Sequence, residues 1–437
     1  MTPLIHKPTS AQRILQLETA HQLDRLHLTA SWFKLVPPHV GDSETVDLAT
    51  RLFIQSNDIF ARDATSLSVR SASTDRFEDF WRLYGRTIVS LRKLMSTADG
   101  ALSDEALLSC ALLAHCERGM GFQSRTKDVS MKNTLSHLQG IQTILTARPA
   151  TDSPSELSFS ILAGQPTLLY EVPVGSGTAS PFENFTWFHP PSSDTSSPMV
   201  QIARLKLIGQ GLLTELPRLE MYLSRANIVI QRGNSRGNFW ATKNLAKRLM
   251  ARKDEVAENT LLHGVKISKT LESENAACIP YSYAFACLAD FEAGIYYWQS
   301  RLMLMRLCWR VARFDDSLNL RQILYEGVRT AKNLLMSWQY AEQQKMFGLI
   351  RYIFVSKVIW GAVLDFREGF PNFVELRRSM AYRISQLMGG VHGWLDEEKL
   401  DEIAQGLDGD GMNEPSKFYD QRRQRPSGRS LASWIAC

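Results

Sequence analysis

Apolar side chains recur at three- and four-residue steps along most of this 437-residue chain, and strict apolar–polar alternation is almost absent. Leu107, Leu108, Ala111, Leu112 and Cys116 make one such face, and Leu135, Leu138, Ile141 and Leu145 make a second. Ser103 stands where a side-chain oxygen caps the first helix. Asp104 and Glu105 follow in its first turn, where the helix dipole favours carboxylates. Arg148-Pro149 stops the second. The spacing predicts a buried helical hairpin over residues 103–149.

The same period predicts helices over 11–33, ending before Pro37-Pro38, over 46–61, and over 77–94, where Phe77, Phe80, Trp81, Tyr84, Ile88 and Leu91 share a side. Residues 157–170 read as a short helix. Residues 174–198 hold six Ser, two Gly and four Pro and read as one long irregular loop anchored by Phe182 and Trp187. Beyond it, Ile202, Leu205, Ile208, Leu212 and Leu216 form a stripe that should kink or end near Pro217. Residues 238–270 give a more polar helical stretch. Tyr281, Phe285, Leu288, Phe291, Ile295, Trp298, Leu302, Met305 and Trp309 then keep helical spacing after Pro280. Stretches 315–340, 346–366 and 373–394 complete the set. The expectation is an all-α fold: a large multi-helix domain of antiparallel helix pairs over 1–405, then a flexible polar and basic tail over 406–437.

Composition supports a packed core rather than a disordered chain, with 44% hydrophobic and 10% aromatic residues. The strongest apolar segments carry Asp290, Glu292, Arg301, Arg351, Lys357 and Asp365, so no membrane-spanning helix is expected. The first residues do not read as a secretory signal, and the expected compartment is intracellular. Cys110, Cys116, Cys278, Cys287, Cys308 and Cys437 are scattered without a C-x-x-C pair. The first five read as small hydrophobes in helices, which suits a reducing environment. Lys417, Arg422, Arg423, Arg425 and Arg429 stand against Asp420 alone, and hold four of the five formal positive charges. The body is thus near neutral and offers no field for phosphate backbones. Arg422, Arg423, Arg425 and Arg429 are the candidate nuclear-import residues.

Other motifs carry less. Gly233-Asn234-Ser235-Arg236-Gly237 has the spacing of a nucleophile elbow and follows a short β-like stretch, Asn227–Gln231, but no other strands are read that could build the parallel sheet beneath it, so it reads as a glycine-flanked loop. The nine histidines form no ligand set, and His137 reads as a helix residue. Asp408-Gly409-Asp410 fails as a calcium loop because Met412 occupies an oxygen-ligand position. Gly175-x-Gly177 lacks the third glycine of a dinucleotide site. No catalytic, cofactor or metal residue is assigned. The aromatic stripe 281–309 reads as core, its functional alternative being a cavity for an apolar metabolite.

Four segments together carry a resemblance. They are the Ser103-Asp104-Glu105 helix, His137-Leu138-x-Gly140 with Leu145 and Arg148, Ser180-Pro181-Phe182-Glu183 with Trp187, and Leu307-Cys308-Trp309. In this order, across roughly residues 75–400, the chain resembles the middle homology region of fungal zinc-cluster transcription factors. That resemblance implies a non-enzymatic regulator of transcription, acting in the nucleus on a metabolic or secondary-metabolite gene set. Its partners would be other transcription regulators or the transcription machinery, with a small-molecule effector and homo- or heterodimer pairing also in scope. The family's zinc module needs six closely spaced cysteines, and the first hundred residues here contain none. This chain is therefore not expected to read DNA specifically by itself. The alternative is a helical metabolite-binding protein or enzyme sharing only the architecture, marked by a pocket with two or more convergent titratable groups.

Overall fold

Ser10, Ser43, Thr97, Ser103, Ser155, Asp254 and Asn319 each accept the amide of the third residue ahead, at 3.0–3.2 Å. Each thereby satisfies one donor that a helix start leaves orphaned. In the computed structural model, which describes residues 10–25, 32–63, 74–123, 127–148, 154–189, 197–231, 237–270, 279–312, 317–387 and 397–407, the outcome is an all-α fold with one small two-stranded sheet. It comprises two compact units, one within Met1–Gly164 and one within Gln165–Arg425.

The first unit holds α1 (Ala11–Arg25), a 3-10 turn (Trp32–Leu35), α2 (Val36–His39), α3 (Glu44–Asp63), α4 (Thr74–Met95), α5 (Ala98–Ala101), α6 (Asp104–Gln123), α7 (Lys127–Ala147) and α8 (Glu156–Ala163). Residues 106–117 of α6 are all buried, and α6 touches α3, α4, α5, α7 and α8. The predicted hairpin is the α6–α7 pair. Gly140 lets its helices close up, since a Cβ there would lie 3.4 Å from Cys110 Sγ. Of the helix predicted over 11–33, Ala11–Arg25 form α1, residues 26–31 lie outside the described ones, and Trp32 and Phe33 belong to the 3-10 turn instead. Pro37 and Pro38 do not block a helix either; they sit in the first turn of α2, where a missing amide costs nothing. Phe33 anchors this corner, stacked on Trp32 and Phe53 at 3.9 and 5.1 Å and edge-on to His115 at 4.8 Å.

The segment predicted as one helix over 157–170 breaks after α8, and Thr167–Glu171 form a π-helical turn. That turn leads into α9 (Val172–Ser176), so the expected loop starts inside a helix, and it also contains a 3-10 turn at Thr186–Phe188. Helix α10 (Pro198–Gln231) runs through Pro217 without ending. The flanking Leu212, Leu213, Leu216, Leu219 and Leu223 are all fully buried, and that packing outweighs the one lost amide bond. The stretch 238–270 is not one helix but α11 (Gly237–Met250), α12 (Glu255–Gly264) and strand β1 (Lys266–Lys269). Strand β2 (Tyr281–Ala284) pairs antiparallel with β1, Lys266 opposite Ala284, which corrects the helix expected from Tyr281 onward. Helix α13 (Leu288–Ala312) starts only after Cys287, and α14 (Leu320–Gln343), α15 (Lys345–Asp365), a 3-10 turn (Arg367–Gly369), α16 (Phe373–Leu387) and α17 (Glu397–Leu407) follow.

Helix α13 is the axis of the second unit. Residues 291–308 are all buried, and it touches α10, α11, α12, α14 and α15. Its crossing with α10 requires Gly209, because a Cβ there would collide with the Tyr296 carbonyl. Among the described residues no helix is long and apolar enough to cross a membrane.

Candidate functional site

Two of the hairpin residues that carry the resemblance, Asp104 and Arg148, meet in one tie. Arg148 Nε donates to the Leu102 carbonyl at 3.0 Å, and a terminal nitrogen lies 2.6 Å from Ser158 Oγ and 2.9 Å from Asp104 Oδ1. One side chain thus fastens the end of α7 to the starts of α6 and α8. His137 faces inward, its Nε2 sealed from solvent and without a partner. Burial pulls its pKa down to about 4, so the ring is neutral at neutral pH and serves as packing. Burial pushes the thiols of Cys110 and Cys116 up to about 12, which leaves them inert.

The Ser180–Trp187 segment is pinned in the same manner. Ser180 Oγ accepts the Phe182 amide at 3.3 Å, and the Phe182 ring is fully buried. Phe185 bridges Phe182 and Trp187, with ring centres 5.4 and 4.8 Å away. Glu183 meets Arg218 Nε at 2.8 Å, one residue past Pro217. Burial raises the Glu183 pKa, and the Arg218 charge opposes that shift.

Around α13 the charges are buried and paired. Glu292 Oε2 accepts from Lys206 at 2.7 Å, Arg306 donates to Asp365 at 2.6 Å, and Arg310 reaches Glu220 at 3.1 Å. Arg301 pairs with Glu326 and also donates to the carbonyls of Met250 and Arg252, at 3.1 and 3.4 Å, where the end of α11 leaves acceptors exposed. Glu258 accepts the Trp298 indole N–H at 2.9 Å and two nitrogens of Arg329 at 2.8 and 3.1 Å. Carboxylates neutralised in this way join helices; their geometry suits fixation rather than proton transfer.

Trp309, the last residue of the Leu-Cys-Trp tripeptide, lines a cleft of about 430 Å³ with Leu324, Leu364, Asp365, Phe366 and Glu368. Its ring meets Phe366 at 5.8 Å, edge to face. Behind the cleft the Arg306 guanidinium lies flat on Gly361, a position where any Cβ would strike it. Within α13 the aromatic stripe is core, Phe291, Trp298, Leu302 and Met305 having no exposed surface, whereas Tyr281, expected to head it, lies in β2 and is 49% exposed.

The remaining sequence motifs resolve as follows. Gly237 opens α11, while 232–236 lie outside the described residues, as do Cys278, Cys437 and the whole segment 408–437 with Arg422, Arg423, Arg425 and Arg429. The strands that are described are antiparallel, so they cannot form the parallel sheet an elbow needs. Cys287 is exposed in the bend before α13 rather than packed in a helix. Among the described residues no group of three or more His, Cys, Asp or Glu is placed to hold a metal ion. No family model, curated protein or solved structure matches the chain.

Proposed function

We propose that the chain is a non-enzymatic transcriptional regulator of fungal type, which works in the nucleus through protein partners on a metabolic or secondary-metabolite gene set. The observation that carries this reading is the Arg148 tie. Three of the residues by which the chain resembles fungal regulators are joints of an all-helical scaffold: Asp104 and Arg148 fasten α6, α7 and α8 in one place, and Glu183 ties the Ser180–Trp187 turn to α10 in another. Catalytic residues converge on a space where a substrate sits; these converge on backbone carbonyls and on each other. A scaffold of this kind acts by presenting surface. The tail arginines Arg422, Arg423, Arg425 and Arg429 supply the nuclear address, and DNA contact falls to a partner.

A second reading, a helical metabolite-binding protein, is favoured by the cleft at Trp309, whose 430 Å³ lies within the range of small-molecule sites. Tethering separates the two. The full chain, fused to an unrelated DNA-binding module upstream of a reporter, should change transcription several-fold in either direction. A free fluorescent fusion should be nuclear and should become cytoplasmic when the four arginines are replaced by Ala, with thermal stability unchanged. A tethered, nuclear chain that leaves the reporter silent overturns the regulator reading. A fusion that remains nuclear after the replacements overturns the role of the tail.

A further inference from the structure

Strand β1 is a sheet edge with no strand paired beyond it among the described residues. Lys266, Ile267, Ser268 and Lys269 are all exposed. The register with β2 fixes which of their backbone groups are used. Lys266 stands opposite Ala284 and Lys269 opposite Tyr281, and one step further the Thr270 amide donates to the Pro280 carbonyl at 3.0 Å. Bonded and non-bonded pairs alternate along an antiparallel ladder, so Ser268 and Lys266 are the residues that bond to β2. Ile267 and Lys269 turn their N–H and C=O groups the other way, where no described residue meets them.

The same edge leaves an apolar position unfilled. Residues opposite one another share a face of the sheet, so Ile267 lies on the face of Tyr283. That face looks inward: Tyr283 is buried, its hydroxyl donates to Asn333 of α14 at 2.9 Å, and its ring centre lies 6.0 Å from that of Trp298. Ile267 is nevertheless 66% exposed, with no strand covering its outer side. Two ammonium groups flank this position, Lys269 on the same face and Lys266 on the other, and neither meets a carboxylate among the described residues. Lysines on an edge blunt pairing with neutral strands. They also oppose a second copy of this chain, whose own Lys266 and Lys269 would be drawn into the same ladder. A strand carrying carboxylates meets the reverse: each lysine becomes a cross-strand partner.

We propose that the open edge of β1 binds an extended acidic segment of a partner protein, which joins the sheet as a third strand. Its backbone pairs with Ile267 and Lys269, one apolar side chain settles beside Ile267, and carboxylates three residues apart meet Lys266 and Lys269. In strand addition of this kind the ladder supplies affinity and alternate side chains supply selectivity. The proposal rests on the regulator reading only in taking the occupant to be a protein, and a silent reporter would leave it standing.

The test is a binding measurement on the full chain, independent of transcription. The probe is a fluorescent peptide, Thr-Glu-Thr-Val-Glu-Thr, read by anisotropy. Paired antiparallel, its two Glu fall opposite Lys269 and Lys266 and its Val opposite Ile267. In the unaltered chain the peptide should slow hydrogen exchange at the Ile267 and Lys269 amides and leave Ser268, already bonded to β2, unchanged. A peptide N-methylated at Val keeps both charges and loses its ladder donor, so it should bind at least about tenfold more weakly. Lys266→Glu combined with Lys269→Glu, both at exposed positions, should weaken the acidic peptide by a similar factor. The same variant should instead bind a peptide with Lys in place of both Glu. The proposal is overturned if the Ile267 and Lys269 amides of the unaltered chain gain no protection, a condition that needs no variant to fold. It is equally overturned if the N-methylated peptide binds as well, which would leave bare charge attraction, or if the charge swap does not reverse the preference. Concentration-dependent protection of these two amides without peptide would make the occupant a second copy, and would overturn it too.

Discussion

Replacing Arg148 by Ala should destabilise the first unit by about 2–3 kcal/mol, chiefly through the Leu102 carbonyl rather than through the salt bridge. The arginine side chain is 19% exposed and Asp104 is 40% exposed, so the ion pair is screened and contributes only about 0.5 kcal/mol. Ser158 Oγ keeps a second partner, Ser155 Oγ at 3.0 Å, and is only partly orphaned. The Leu102 carbonyl and the link from α7 back to α6 are lost outright, at about 1–3 kcal/mol for an unsatisfied acceptor. Asp104→Ala should therefore cost at most about 1 kcal/mol, most of it from the helix dipole. Arg148→Lys should fall between, keeping the charge and losing the fork. Because the chain has two units, the assay must be local: denaturant-dependent hydrogen exchange of the α6, α7 and α8 amides. An Asp104→Ala variant as damaged as Arg148→Ala would refute the carbonyl tie in favour of a simple salt bridge.

Two further outcomes follow from buried groups. Glu258→Ala should cost about 2–4 kcal/mol, since fully buried Trp298 loses its acceptor while Arg329, 36% exposed, can rehydrate. Glu258→Gln, which keeps an acceptor for Trp298, should cost about half as much, and equal losses in denaturant melts would sink that argument. His137 titrates near 4 in the folded chain against an ordinary value of 6.5, so between these values the unfolded chain binds more protons. Stability should then fall as pH drops from about 6.5 toward 4, by up to about 3 kcal/mol. His137→Leu should flatten that slope in pH-dependent melts, and an unchanged slope would place the titration elsewhere.

Much of the fold was legible because helix periodicity is local. The α6–α7 hairpin follows from spacing, and Ser103 and Arg148 mark its ends as read. The error at Tyr281 has a clear origin: Tyr281, Phe285 and Leu288 fall by coincidence on the stripe of α13, whereas 281–284 pair with β1 through backbone bonds that no side-chain period reports. Pro217 misled for the opposite reason, since a local penalty yielded to long-range burial. Helix α17 was left unassigned within the predicted helical domain, because few of its residues are apolar. The ion pairs were invisible altogether. Arg310 and Glu220 are 90 residues apart and Arg306 and Asp365 are 59 apart, and a charge on an apolar stripe was the sole hint that a partner existed.

A helix enclosed on every side has no surface to mark its depth, and oily contacts forgive translation. Glu292, Arg301, Arg306 and Arg310 act on α13 as indexing pins, the first and last seated in sockets on α10, the other two on α14 and α15. Sliding the rod by one helical pitch, 5.4 Å, would unseat all four at once. Small displacements are thereby resisted, and any rearrangement that moves α13 must release the pins together.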